Sequence, residues 1–268
     1  MHIDEWQREA VRVLLDSGIA TARLDSLVLL EDAMNTDRTQ LLAHPETTLT
    51  PGHIKQLSDQ IELRSQHVPL AYIRGKTEFY GREFMVSSSV LEPRPESETM
   101  ITLLKQLSLS HRVLLADIGC GSGALGISAA LELGLNKVYL HDIDHKALAV
   151  ARQNVTKHHV CADLLHTNLL KNYNAAYEVL LCNLPYVPDD FSINTAATHE
   201  PRVAIFGGPD GLDLYRQLFV QLSALPNKPR YIFTECLPVQ HTELVRIAAQ
   251  RNYRLSLTED FIQLFVPS

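Results

Sequence analysis

The sequence lacks the marks of several large protein classes. No stretch of its 268 residues reaches the ~18 consecutive apolar positions of a membrane-spanning helix, so no membrane association is expected. The opening MHIDEWQREA carries acidic residues and no apolar run, so no secretory leader is expected either. Only four cysteines occur, Cys120, Cys161, Cys182 and Cys236, scattered and without a C-x-x-C pair. That argues against a disulfide framework or zinc site and fits a reducing cytoplasm. Positive charge is short as well: 24 Lys and Arg face 31 Asp and Glu, a net charge of -7. A phosphate backbone would meet no overall attraction, and stable nucleic-acid binding is not expected. Low-complexity tracts are absent, and 46% hydrophobic content is enough for a substantial core, in one large domain or two unequal ones.

The chain changes character near Gly75. Before it, the pattern is helical only. Ile3, Trp6, Ala10, Val13 and Leu14 recur at helical spacing, with Gly18 as a stop. A second helix is expected over 23–35, with Leu24, Leu27, Val28 and Met34 on its apolar face. Thr50 followed by Pro51 predicts an N-cap and first turn, opening a helix through Ile54, Leu57, Ile61 and Leu63. Residues 1–74 therefore read as a small helical domain suited to holding a partner. Lys76–Val86 places aromatic residues on both sides of Gly81 and predicts a β-hairpin, making 75–90 a linker. Leu91–Glu98 is proline-rich and predicts an ordered loop. Beyond it, strand-like and helix-like runs alternate to the C-terminus, the pattern of a doubly wound α/β sheet over 91–268.

Asp117-Ile118-Gly119-Cys120-Gly121-Ser122-Gly123 follows an apolar strand and opens a helix. Glycines there let the backbone turn sharply and approach a ligand without a Cβ clash. Asp142 closes the next strand, 19 residues after Gly123, with a carboxylate able to accept from both hydroxyls of a ribose. Read as G-x-G-x-x-A, the loop suits a dinucleotide; read as D-x-G-x-G-x-G, it suits S-adenosylmethionine. The loop alone leaves both open.

The choice is made about sixty residues later. A strand over 179–182 ends in Asn183-Leu184-Pro185-Tyr186, which resembles the (N/D)-P-P-(Y/F) motif of methyltransferases acting on planar amino or amide nitrogens. Such a nitrogen is a poor nucleophile because its lone pair is delocalised into the adjoining π-system. Two acceptors on its N–H groups, the Asn183 side-chain oxygen and the Leu184 carbonyl, would aim it and stabilise the charge that develops on it. Tyr186 would supply a flat wall. No base is required.

Taken together, these motifs resemble the HemK/PrmC family, the peptide chain release factor glutamine N5-methyltransferases. The resemblance spans nearly the whole chain. It includes Phe79-Tyr80-Gly81, the loop Pro93-Arg94-Pro95-Glu96-Ser97-Glu98 and the segment from Glu200-Pro201 to Gly207-Gly208-Pro209-Asp210-Gly211-Leu212. It implies a class I, Rossmann-like methyltransferase sheet behind a helical substrate-recognition domain. The implied activity is methylation of the glutamine amide in the Gly-Gly-Gln loop of release factors. Asp117, Gly119, Cys120, Gly121, Ser122, Gly123, Asp142 and Asn183 would hold S-adenosylmethionine, with Asp163 and Leu164 resembling the family's adenine-side loop. Asn183, Leu184, Pro185 and Tyr186 would hold the glutamine amide. A cytoplasmic monomer acting on a protein substrate is expected. Adenine-N6 methylation of DNA or RNA, and a non-catalytic relative that binds a translation factor, are the alternatives.

Three departures from the pattern stand out. Leu184 replaces a proline, the region 154–163 is short, and Glu235-Cys236-Leu237-Pro238-Val239-Gln240 lacks the glycine of a common E-I-G-x-x-Q. The twelve histidines include the adjacent His158 and His159, without a ligand-type partner one helical turn away, so surface positions rather than metal ligands are expected. Arg94 is expected to meet an acidic partner.

Overall fold

The computed structural model describes residues 1–171 and 175–268. Its contacts divide into two compact units, 1–75 with 194–199, and 76–193 with 200–268.

The first unit is helical: α1 (Ile3–Asp16), α2 (Ala22–Met34), α3 (Arg38–Ala43), α4 (Pro51–Ser65) and α5 (Leu70–Arg74). Ile3, Trp6, Ala10 and Leu14 of α1 are buried, whereas Val13 is exposed. Thr50 caps α4, its hydroxyl accepting from the His53 N–H at 3.1 Å. The apolar face expected for α2 is corrected. Leu27 is buried as expected, but Leu24 is exposed, and Leu29 and Leu30 are buried outside the expected stripe. The reason is that α2 packs against α1, α3, α4 and α5, so it is enclosed on more than one side and carries no single stripe. Its Asp25 is buried and paired with Arg64 at 2.7 Å.

The second unit opens with the hairpin β1 (Lys76–Phe79) and β2 (Arg82–Met85). Tyr80 and Gly81 both have positive φ, 50° and 68°, as a two-residue type I′ turn requires. A seven-stranded sheet follows, built from β3 (Leu115–Ile118), β4 (Val138–Asp142), β5 (Ala162–His166), β6 (Val179–Cys182), β7 (Tyr231–Glu235), β8 (Tyr253–Glu259) and β9 (Ile262–Pro267). Between them lie α7 (Ala124–Leu133), α8 (His145–Lys157), α9 (Asp213–Ala224) and α10 (His241–Ala249), with α6 (Glu98–Lys105) before β3. The strand order is β5-β4-β3-β6-β7-β9-β8, parallel except for β9, which is antiparallel to both neighbours. This is the doubly wound order with one antiparallel strand inserted near the end, the class I methyltransferase sheet.

Parallel strands covered on both faces must be apolar throughout. In β6, Val179 and Leu181 join one core with Phe79, Met100, Leu140 and Phe233; Leu180 and Cys182 join the other with Tyr215, Phe219 and Ile232. Two elements depart from the sequence expectation. The proline-rich loop tightens into a 3-10 turn at Pro95–Ser97 and continues as α6, and β5 occupies the region read as shortened.

The topology places the site. Strand order reverses between β3 and β6, where Asp117 pairs with Leu181, so the loops leaving these two strands open side by side. Crevices of this kind at the carboxyl ends of an open α/β sheet are where ligands bind.

Candidate active site

A cavity of about 330 Å³ lies at this switch point. Gly119, Cys120, Gly121 and Ser122 line it, as do Asp142 and the first three residues of the tetrapeptide, Asn183, Leu184 and Pro185. Motifs sixty residues apart in sequence are thus neighbours. Tyr186 lies behind this lining, partly buried against the core.

The glycine loop is held by its backbone. The Gly119 and Cys120 N–H groups both donate to the His141 carbonyl at 2.9 and 2.8 Å. Gly119, Gly121 and Gly123 all have left-handed φ. A Cβ on Gly119 would lie 3.0 Å from Leu184 Cδ2, whereas one on Gly121 would meet nothing within 4 Å. Asp117 is not free to contact a ligand at full strength, because its Oδ2 accepts from the Gly126 N–H at 2.8 Å and it is buried. Burial pushes its carboxyl up to about 7. Asp142 accepts from the Gly121 N–H at 2.8 Å through Oδ2 and from the Asp144 N–H at 2.9 Å through Oδ1. Each oxygen keeps a second lone pair, and burial raises its pKa. Asn154 spends its whole amide here: it donates to the Ser122 and Met85 carbonyls and accepts from the Met85 N–H, tying the loop to the hairpin.

The adenine-side reading of Asp163 and Leu164 is corrected by their placement. Both lie within β5, which pairs residue for residue with β4 from Val138↔Ala162 to Asp142↔His166. The loop cannot begin before Thr167. Asp163 pairs with Lys137 at 2.6 Å, and Leu164 packs against the core. Thr167, Asn168 and Leu169 line the cavity instead, facing Ile143 from the end of β4. His141 supports this corner, buried, with Nε2 2.7 Å from the Tyr177 hydroxyl. Burial lowers its pKa to about 4, so it is neutral at physiological pH.

The tetrapeptide is clamped from behind. Gln240 Nε2 donates to the Tyr186 carbonyl at 2.8 Å and the Asp210 carbonyl at 2.7 Å, while its Oε1 accepts from the Leu237 N–H. A Cβ on Gly207 would lie 2.3 Å from the Pro185 carbonyl oxygen, and one on Gly211 would lie 2.0 Å from that of Tyr186. The glycines of the 207–211 segment therefore let two backbones meet. The Tyr215 hydroxyl bridges the ends of β6 and β7, 2.9 Å from the Cys182 carbonyl and 2.6 Å from that of Glu235. Asn183 Nδ2 donates to Ser97 Oγ at 2.8 Å, Ser97 donates to Glu235 at 2.6 Å, and the Tyr186 hydroxyl donates to the other Glu235 oxygen at 3.1 Å. Burial raises the pKa of Tyr186. Ser97, Glu235, Gln240, Tyr215 and Asn154 carry no motif signal of their own; Ser97, Glu235 and Gln240 lie in segments whose resemblance was seen but whose side chains were given no role.

Arg94 lines the cavity and pairs with Glu200 at 2.6 Å, the carboxylate side chain being only 2% exposed. The His158 ring lies against Phe84, tilted by 39°, and His199 lies 3.1 Å from the Gln66 carbonyl; no cluster of metal-ligating side chains occurs among the described residues. No helix among them is long and apolar enough to cross a membrane.

Comparison with known proteins agrees with this architecture. Residues 5–75 match the PrmC N-terminal domain, and 96–200 match the methyltransferase small domain. A release factor glutamine methyltransferase of Moorella thermoacetica is 37% identical over 78% of this chain and 76% of its own length. The chain belongs to the release factor glutamine methyltransferase family. Further members from Koribacter versatilis and Bacillus cereus are 32% and 30% identical, over 78% and 82% of their lengths. Among solved structures, a methyltransferase from Pyrococcus furiosus shares the fold with a TM-score of 0.51 at 15% identity, covering 70% of this chain and 88% of its own. A ribosomal-protein methylase from Lactobacillus delbrueckii has a TM-score of 0.50 at 17% identity, covering 65% and 79%.

Proposed function

We propose that this protein transfers a methyl group from S-adenosylmethionine to the side-chain amide nitrogen of the glutamine in the Gly-Gly-Gln loop of a peptide chain release factor. The observation that carries the reading is the orientation of Asn183. Its NH2 is committed to Ser97, which leaves its oxygen as an acceptor beside the glycine cradle. The cradle fits the cofactor: left-handed Gly121 has nothing within 4 Å of a Cβ position, and Asp142 keeps lone pairs for two ribose hydroxyls.

When bound, S-adenosylmethionine supplies an electrophilic methyl on a positively charged sulfur. The residues of the chain do the rest by placement. The Asn183 oxygen and the Leu184 carbonyl take the two N–H bonds of the substrate amide and fix the nitrogen's direction of approach. As positive charge grows on nitrogen, both dipoles stabilise it without reorganising, and once methylated the nitrogen would shed one of its N–H protons to water. Leu184 is buried against Gly119, so its carbonyl is carried on a rigid base. Pro185, at the cavity wall, confines the amide plane, and Tyr186 backs it. Holding the two reactants in register is the main source of rate, since effective molarities of oriented groups account for ~7–11 kcal/mol of a barrier. Asp163 and Leu164 play no part in this assignment, and Thr167–Leu169 with Ile143 take the adenine. The four free thiols suit a cytoplasmic enzyme, and we take the monomer as the active species.

Labelled methyl transfer to an unmodified release factor tests the reading, beside the factor's Gln→Ala loop variant and the Asn183→Ala enzyme. Label is expected only when both glutamine and Asn183 are present, with kcat about 10²–10³-fold lower for Asn183→Ala. Label on RNA or DNA but not on the release factor would replace it with the adenine-N6 reading.

A further inference from the structure

An asparagine serves as an acceptor only when its amide faces the right way, and the two faces are nearly isosteric. In this site the choice is set by a chain of hydrogen bonds from outside the tetrapeptide. Glu235, at the end of β7, is fully buried, and among the described residues no cation pairs with it. One carboxylate oxygen takes the Ser97 hydroxyl at 2.6 Å, and the other takes the Tyr186 hydroxyl at 3.1 Å. A carboxylate only accepts, so both hydroxyls must spend their proton on it. Ser97 then has only lone pairs left for Asn183, and the group it receives at 2.8 Å is the NH2.

We propose that Glu235, through Ser97 and by facing the Asn183 NH2 itself, is the positioning residue that keeps the Asn183 oxygen turned into the cavity, and that the same carboxylate holds Tyr186. The proposal rests on the methyl-transfer reading above for its consequence in catalysis, but not for its geometry. An uncompensated buried carboxylate is otherwise costly, and such groups cluster at functional sites.

The direction of the chain depends on one proton. If Glu235 is protonated, its O–H requires an acceptor, and Ser97 Oγ is at hand. Ser97 would then donate onward, which suits the Asn183 oxygen and turns the NH2 into the cavity. An NH2 facing the substrate's own N–H groups repels them. The charged form of Glu235 is therefore the competent one, and competence is lost as pH falls through its pKa, which burial raises. The groups facing it are Ser97 and Glu96 from the 3-10 turn, Asn183 and Tyr186 from the tetrapeptide, Tyr215 from α9 and the adjoining Cys236; Arg94 acts on Tyr186. Burial moves Tyr186, Tyr215 and Cys236 upward, away from the acid range.

Two readouts on the full-length protein decide it. The first is the side-chain amide resonance of Asn183, identified by its loss in Asn183→Ala and followed against pH without substrate. It is expected to titrate once in the wild type and in Ser97→Thr, which keeps the hydroxyl, and to stay still in Glu235→Gln. The second is steady-state transfer to the release factor. Ser97→Ala and Glu235→Gln are expected to lower kcat by up to about a hundredfold, the scale of an ångström-level misplacement. KM and the affinity for S-adenosylhomocysteine should hold, Ser97→Thr should restore kcat, and the acid limb of kcat should vanish in Glu235→Gln. An Asn183 resonance that titrates equally in Glu235→Gln, or wild-type kcat in both Ser97→Ala and Glu235→Gln, overturns the proposal. Absence of transfer by the wild type would sink the substrate reading alone, because the resonance still reports on the relay.

Discussion

Replacing Gly211 with alanine puts the clamp behind the tetrapeptide to a quantitative test. Gly211 has φ of +78°, where an L side chain costs about 1–2 kcal/mol. Its Cβ would also lie 2.0 Å from the Tyr186 carbonyl oxygen and 2.4 Å from Gln240 Nε2, against 3.4 Å for ordinary contact. The two backbones must part by roughly an ångström, and the Gln240 bond to Tyr186 goes with them. Gly134 provides the control, since it has φ of +60° at the end of α7 and nothing within 4 Å of a Cβ. Gly134→Ala is expected to cost about 1–2 kcal/mol in urea denaturation and to leave methyl transfer unchanged. Gly211→Ala should cost about 2–4 kcal/mol, adding overpacking to the same strain. In the folded protein, kcat should fall about a hundredfold, because the displacement lands on Tyr186. A folded Gly211→Ala enzyme with wild-type kcat would refute the claim that the 207–211 segment positions the tetrapeptide.

Other perturbations follow from the same geometry. Asp117 has its carboxyl raised to about 7 by burial from 3.8, so the folded chain keeps a proton that the unfolded chain has lost, and stability falls as pH rises through that window. Asp117→Asn keeps an acceptor for Gly126 and should gain on the wild type by roughly 2–3 kcal/mol between pH 5 and pH 8; an equal difference at both pH values would argue against a buried charge. Asp142→Ala removes the acceptor for Gly121 and Asp144 and should weaken S-adenosylhomocysteine binding by about 1.5–3 kcal/mol in calorimetry; undiminished affinity would remove Asp142 from the site. Tyr215→Phe strips the bridge between the ends of β6 and β7 and should cost about 1–3 kcal/mol in denaturation, with full stability counting against the bridge.

Much of this architecture is legible in the sequence because its signals are local. The glycine loop, Asp142 and Asn183–Tyr186 each announce themselves by residue type at a strand end, and the alternation of elements predicts that they converge. What escapes has a physical reason. The face of α2 is misread because four helices surround it, and periodicity speaks only for a helix buried on one side. The Ala162–His166 strand is missed because its burial is only intermediate at the edge of the sheet, which hides the apolar run. That error moves the adenine-side assignment to Asp163 and Leu164, four and three residues before Thr167. Ser97, Glu235 and Gln240 act through hydrogen bonds to site residues 30–138 positions away, and no short motif encodes such a distance.

The departures from the family pattern are absorbed where they occur. Glycine is replaced by leucine at position 237, but Leu237 has φ of -61°, an ordinary value that asks for no glycine. The loop keeps its shape through Pro238 and through the Leu237 N–H to Gln240 Oε1 bond. Leucine stands at 184 in place of proline, and its side chain is buried over Gly119, filling the space in which that glycine lacks a Cβ. Packing supplies there the restraint that a ring would give through φ, a difference of about 0.4–1 kcal/mol at most. The groups that chemistry cannot spare are the acceptors, and both survive: a carbonyl comes from any residue at 184, and the Asn183 oxygen is held by a serine and a glutamate outside the motif. Divergence in side chains is tolerated because catalysis of this kind is written mainly in the direction of dipoles.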